Sequence, residues 1–213
     1  ENPGTGGEGM NVGEWLPALL ATGGYLLGSV PFGVLVAKAL GTVDPREAGS
    51  RNIGFTNVLR VAGKKAGFLT LAGDMGKGWV VAWLATRMLE SDVWVLVVAL
   101  SPVVGHLYPV FLKFRGGKGV ATAMGAVTGV APVLGLALVL IWVVTAALWR
   151  YSSGAAVAAF IGLPIVGAMV GVSWKTVAFL LAVSGLVLWR HGENIVRLWN
   201  GTERKIGAGV SNI

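Results

Sequence analysis

The chain has no cysteine, which excludes a disulfide framework, a thiolate nucleophile and any thiolate metal site. Charge is scarce too: 13% of the 213 residues are Asp, Glu, Lys or Arg, against roughly 25% in soluble domains. Acids are the rarer sign, ten against 17 bases, so the chain is basic without being highly charged. What fills it instead is 54% hydrophobic side chains and 33 glycines. A chain this poor in charge reads as an all-α integral membrane protein, and its small residues allow close helix approach in lipid, where packing drives association.

Residues 1–9 are Gly-rich and acidic, unlike the basic start of a secretory signal, and no small-residue cleavage pattern follows the first apolar run. That run is therefore retained as a span. Residues 1–9 are read as a flexible lead segment with Met10 available as a native start, and 10–213 as a single polytopic domain.

About 20 residues cross the roughly 30 Å hydrocarbon core. Hydropathy and helix breakers predict spans near 14–39, 67–89, 93–112, 118–131, 133–149, 154–172 and 174–191. The fourth is short enough to be a tilted or re-entrant helix. Seven crossings put the termini on opposite sides. With the N-terminus outside, the outer face holds Arg87 and Lys175 against Glu1, Glu8, Glu14, Glu90 and Asp92, and every other Lys and Arg falls inside. The positive-inside rule thus places the C-terminus and the polar loops in the cytoplasm. Trp15, Trp94, Trp149, Trp174, Trp189 and Trp199 fall near span ends, as interfacial anchors do. The basic residues sit in short loops with no basic helix or nucleic-acid motif, so topology and anionic ligands explain them better than nucleic acid does.

Three polar regions carry chemistry. The first loop, Gly41 to Gly67, contains Ser50, Arg51, Asn52, Thr56, Asn57 and Arg60. A solvated loop that sets topology needs its cations but has no use for Asn52, Thr56 and Asn57, whereas amides, hydroxyls and an arginine fork together suit phosphate. The second, Arg115-Gly116-Gly117-Lys118-Gly119, leads directly into an apolar helix. Backbone amides, a lysine and a helix N-terminus make an anion site; alone, the motif equally fits a tight basic turn. It lacks Walker spacing. The third runs from His191 to Lys205, and if helical it sets His191, Asn194 and Leu198 on one face with Arg197 one turn beyond Asn194. A lone histidine at a span end is usually interfacial; this one is followed by Asn and Arg at helical spacing.

Elsewhere, Asp74 and Lys77 lie three apart in a span and suit a structural intramembrane ion pair. Ser152 and Ser153 open the sixth span and suit either a helix cap or phosphate donors. His106, in an apolar setting, is read as packing with one hydrogen bond.

In order and spacing these pieces resemble the bacterial acyl-phosphate-dependent glycerol-3-phosphate acyltransferases, the PlsY family. The matching pieces are Gly28-Ser29-x-Pro31-x-Gly33, Asp44-x-Arg46-x2-Gly49-Ser50-x-Asn52-x-Gly54-x-Thr56-Asn57-x2-Arg60 and Asp74-x2-Lys77-Gly78. They continue with Gly105-His106-x2-Pro109-Val110-Phe111, Gly116-Gly117-Lys118-Gly119, Arg150-Tyr151-Ser152-Ser153 and His191-x2-Asn194-x2-Arg197-Leu198-x2-Gly201-x-Glu203. Any one is compatible with chance; seven in order are specific.

The resemblance implies acyl transfer from acyl-phosphate to the 1-hydroxyl of glycerol 3-phosphate, giving lysophosphatidic acid and phosphate at the cytoplasmic face of the bacterial inner membrane. It implies that Arg60, Asn52, Thr56 and Asn57 hold glycerol phosphate. Gly116, Gly117, Lys118 and Gly119, with Ser152 and Ser153, would cradle the acyl-phosphate, and Ser50 and Asn194 would stand near the reacting centre. Glu203 would be structural. His191, with an ordinary pKa of about 6.5, suits a general base; the donor's own phosphate is the alternative proton acceptor. No metal, cofactor, nucleic acid or obligate protein partner is implied, and the bilayer is the setting. Neither His106 nor His191 is followed by Asp in a His-x4-Asp pattern, so the donor leans away from thioesters. A transporter or flippase for an anion is the rival class, but no internal repeat of the transporter kind is evident. A purely structural subunit leaves the uncharged loop polars unexplained.

Overall fold

The computed structural model describes residues 12–207; the lead segment 1–9 and Met10 lie outside them. The described residues are all-helical, without strands: α1 (Val12–Ser29), α2 (Phe32–Ala39), α3 (Phe55–Met88), α4 (Asp92–Leu107), α5 (Val120–Val130), α6 (Pro132–Trp149), α7 (Ser152–Met169), α8 (Trp174–Trp189) and α9 (Gly192–Trp199). A 3-10 turn, Val110–Leu112, follows α4.

Among the described residues, three segments are long and apolar enough to cross a membrane: Asp92–Leu112, Pro132–Trp149 and Ser152–Met169. The first expected span is broken. Pro31, lacking an N–H, interrupts it, and Trp15–Ser29 meets Phe32–Ala39 at 45°. At the interruption the Val30 carbonyl accepts the Phe32 N–H at 3.1 Å and a second hydrogen bond from the Lys77 ammonium at 2.9 Å. Lys77 also lies 2.8 Å from the Asp74 carboxylate, both side chains almost fully buried. One ion pair on α3 thus closes the polar gap at the α1–α2 break, as a broken helix in lipid requires. His106 packs beside it, its Nδ1 3.4 Å from Asp74 Oδ1.

The fourth expected span is α5, only 11 residues and so about 16 Å long, roughly half the core thickness. It lies against α3 through glycines: a Cβ at Gly78 would stand 2.1 Å from the Thr122 carbonyl oxygen, and one at Gly125 2.0 Å from that of Met75. The α1–α4 pair meets in the same way, Gly28 against Pro102 and Gly105 against Tyr25. Val103, Leu107, Val127, Phe160, Leu163, Leu180 and Val183 interlock where α4, α5, α7 and α8 converge. Outward-facing apolar side chains are many, and Trp174, Trp189 and Trp199 are more than three-quarters exposed.

The region expected to be loop as far as Gly67 is helical from Phe55 onward. Asn52 Oδ1 accepts the Gly54 N–H at 2.8 Å, turning the chain into the helix, and Gly63 at φ +88° divides α3 into residues 55–62 and 64–88. That dihedral suits glycine alone. Thr56, Asn57 and Arg60 therefore ride on a short surface helix instead of a loop.

Candidate active site

A cavity of about 770 Å³ collects the three polar regions. Its rim is the stretch 49–60, its wall the start of α5, and its far side His191, Asn194, Arg197 and Glu203. The interior continues past Val120, Met124, Val139, Trp142, Val143 and Ala156, between α5, α6 and α7. One end is cationic and amide-rich; the other is apolar.

The rim is set by Asn57, which is buried. Its Oδ1 accepts the Ser50 N–H at 2.8 Å, and its Nδ2 donates to the carbonyls of Pro45, Ala48 and Asn52. Asn57, expected to hold glycerol phosphate, has its side-chain oxygen and nitrogen bonded to the backbone of the rim. Asn52 uses its oxygen on Gly54 and keeps its amide donors. Thr56 and Ser152 share a hydrogen bond of 2.7 Å. Arg46 forks onto Asp44, but Arg60 forms no ion pair and no hydrogen bond among the described residues while lining the cavity. An unpaired, half-buried guanidinium there is a strong anion contact in waiting.

At the second region, Gly119 takes φ +82° and α5 begins at Val120, so its first amides, ahead of the Ala123-to-Gly119 bond, open the helix beside Lys118. Gly117 does not line the cavity: its N–H donates to the His106 carbonyl at 3.1 Å, and a Cβ on it would lie 2.2 Å from His106 Nε2. Its glycine is dictated by this close approach. Gly116, Lys118 and Gly119 do line the cavity.

The third region is organised by Glu203. Its Oε1 accepts from Ser153 Oγ at 2.7 Å and Asn194 Nδ2 at 2.8 Å, and its Oε2 from Arg197 Nε at 2.8 Å. These bonds hold its carboxyl below the usual range against the opposing effect of burial. Ser153, expected on phosphate, is thereby committed to Glu203, which orients it and Asn194 together. Asn194 Oδ1 then accepts from the Lys118 ammonium, linking this region to the second. Burial lowers Lys118 to about 8. His191 is buried, and its Nδ1 lies 2.8 Å from the Val187 carbonyl. Burial lowers its pKa to about 4, so at neutral pH the ring is uncharged, Nδ1–H donates to Val187, and Nε2 is the nitrogen left for a ligand.

Arg190 is the residue missed in the sequence. It lines the cavity and donates to the Gly117 and Gly116 carbonyls. Its position beside His191 was the available signal, hidden because topology alone explains a cation at a span end.

The family model for glycerol-3-phosphate acyltransferase matches residues 18–201. The chain belongs to the PlsY family of glycerol-3-phosphate acyltransferases. Within that family it is similar to the glycerol-3-phosphate acyltransferase of Burkholderia multivorans, 50% identical over 194 residues covering 90% of each chain. The protein of that name from Aromatoleum aromaticum is 46% identical over 193 residues, 91% of this chain and 98% of the relative. Two crystal structures of PlsY, described as an integral membrane glycerol 3-phosphate acyltransferase, superpose on 90% of this chain and 96% of theirs at 39% identity. The glycerol 3-phosphate form gives a TM-score of 0.85 and the lysophosphatidic acid form 0.84. The PlsY-family protein described here is thus a membrane acyltransferase, and the expected family is the observed one.

Proposed function

We propose that the protein moves a fatty acyl group from acyl-phosphate to the 1-hydroxyl of glycerol 3-phosphate, releasing inorganic phosphate and lysophosphatidic acid. One observation supports this most: Arg60, Lys118 and His191, far apart in sequence, line a single cavity whose other end is apolar. Two anions bound side by side need separate cationic holds, and an acyl chain needs a greasy extension.

In this reading Arg60 and the Asn52 amide hold the glycerol phosphate, with Ser50 and Thr56 beside them. The α5 amides, Gly116, Lys118 and Gly119 hold the donor phosphate, Ser152 adding a hydroxyl. The apolar arm between α5, α6 and α7 takes the chain. The 1-hydroxyl oxygen attacks the acyl carbon, the bond from that carbon to the phosphate oxygen breaks, and the electron pair leaves with phosphate. His191 Nε2 accepts a hydrogen bond from the hydroxyl and aims it. With a pKa of about 4 it is too weak a base to remove the proton alone, so the departing phosphate takes it. Positioning and preorganised donors supply the rate, and atoms balance without a cofactor or a protein nucleophile.

The same reading keeps seven crossings, with α1–α2 as one and α5 and α8 as short ones, the N-terminus outside and the active site at the cytoplasmic face of the inner membrane. Charge asymmetry supports that orientation. Purified protein in lipid mesophase, given acyl-phosphate and glycerol 3-phosphate, should release phosphate only when both are present. Release from acyl-phosphate alone, or transfer from an acyl thioester in its place, would overturn the proposal.

A further inference from the structure

The glycine-rich turn carries both donors and acceptors, and which of them faces the cavity depends on how its peptide planes are rotated. In a trans peptide the C=O and the following N–H point in opposite directions. Arg190 Nη2 donates to the Gly116 carbonyl at 3.1 Å and Arg190 Nε to the Gly117 carbonyl at 3.2 Å. On the opposite edge of the first plane, the Gly117 N–H reaches the His106 carbonyl. On that of the second, the Lys118 N–H donates to no backbone carbonyl among the described residues. The guanidinium is itself seated over the Tyr108 ring, 5.8 Å from its centroid, and Tyr108 is tied through its carbonyl to the Tyr25 hydroxyl.

We propose that Arg190 is a positioning residue: its fork draws two carbonyls of the turn to one side, so that the Lys118 and Gly119 amides and the α5 N-terminus present only donors to the bound anion. A guanidinium suits this because its planar, divergent N–H groups meet two adjacent carbonyls at once, which an ammonium on a flexible stem does not hold in register. Without the fork, a peptide flip would turn a carbonyl toward the donor phosphate. The inference rests on the reading of this turn as the acyl-phosphate cradle.

Steady-state kinetics with each substrate varied in turn tests it, on Arg190→Ala and Arg190→Lys, with inorganic phosphate as product inhibitor. Both variants should raise KM for acyl-phosphate by about tenfold or more and weaken phosphate inhibition in parallel, a loss on the scale of a charge-assisted hydrogen bond, while KM for glycerol 3-phosphate stays within about twofold. Gly117→Ala, which displaces the same turn from the His106 side, should give the same split and should not add to Arg190→Ala. Recovery of the wild-type KM by Arg190→Lys would show that charge alone matters and overturn the fork; equal changes in both KM values would show general damage and overturn it too. If Arg190→Ala does not fold, the lysine variant carries the test. Failure of the wild type to use acyl-phosphate would instead sink the functional reading and be seen before any variant is made.

Discussion

Arg60 and Lys118 are both unpaired with any carboxylate among the described residues, and burial lowers both, but only Lys118 loses its charge within reach of ordinary pH. Arg60 remains charged throughout, so Arg60→Ala should raise KM for glycerol 3-phosphate by about 10- to 100-fold, the range for losing one charge-assisted contact; initial-rate kinetics at fixed donor reads it. Lys118, lowered to about 8, loses its ammonium in the alkaline range, so KM for acyl-phosphate should climb as pH passes 8. For stability the sign follows from proton counting. Between about 8 and its ordinary value the unfolded chain holds a proton that the folded lysine lacks, so this group makes folding more favourable as pH rises through that window. His191, lowered to about 4, likewise stabilises the fold fully above about 6.5, and this contribution is lost as pH falls toward 4. A turnover profile of the wild type should accordingly show no histidine limb near 6.5; a limb there that vanishes in His191→Ala would restore His191 as the base. Residue chemistry was legible where it depended on type. Arg60, Lys118, His191 and Glu203 all stand out in the sequence by residue type and setting. Which partner each takes was not: Asn57 and Ser153 look like phosphate donors in sequence, and only three-dimensional proximity commits one to the rim's backbone and the other to Glu203.

Among the helices, the apolar runs of α4, α6 and α7 announced themselves by length and composition. The short helix at residues 55–62 did not, because its polar face reads as loop until Val58 is seen to be fully buried. The half-length of α5 was signalled by Ala131-Pro132, but its partner was not, since glycine spacing fits several neighbours. Contact through Gly78 and Gly125 identifies α3. Gly125→Leu should force the two helices apart and shift the α5 N-terminus, with Lys118 attached to it, relative to the rest of the cavity. The expected result is loss of monodisperse protein or a fall of several degrees in Tm, read by size exclusion and thermal unfolding in detergent; an unchanged Tm and KM would show that the α3–α5 contact is not what seats the turn. Lys77 belongs to this scale as well. Lys77→Met would strip Asp74 of its cation, leaving it only the long His106 contact, and the Val30 carbonyl only the Phe32 N–H, a loss of roughly 3–5 kcal/mol by analogy with one-sided removal from buried ion pairs.

At the scale of the molecule, the lack of native cysteine becomes an advantage. Single cysteines at Lys175 and Lys64 can be probed in intact cells with a membrane-impermeant maleimide. Lys175→Cys should label from outside and Lys64→Cys only after permeabilisation; the reverse pattern would invert the topology and place the cavity on the wrong face for a cytoplasmic substrate. Here too the sequence spoke through charge asymmetry, which orients a chain but does not describe a cavity. That the apolar arm runs between α5, α6 and α7 depended on packing that no single segment encodes.

The Asn57 knot at the cavity rim has a kinetic corollary. Since every polar atom of that side chain is bonded to the protein's own backbone, the lip of the pocket takes its shape from the chain and not from a guest. On the proposed reading, capture of glycerol phosphate at this lip would involve shedding water and counter-ions without ordering a segment, so the small anion would exchange quickly while the greasier donor stays seated.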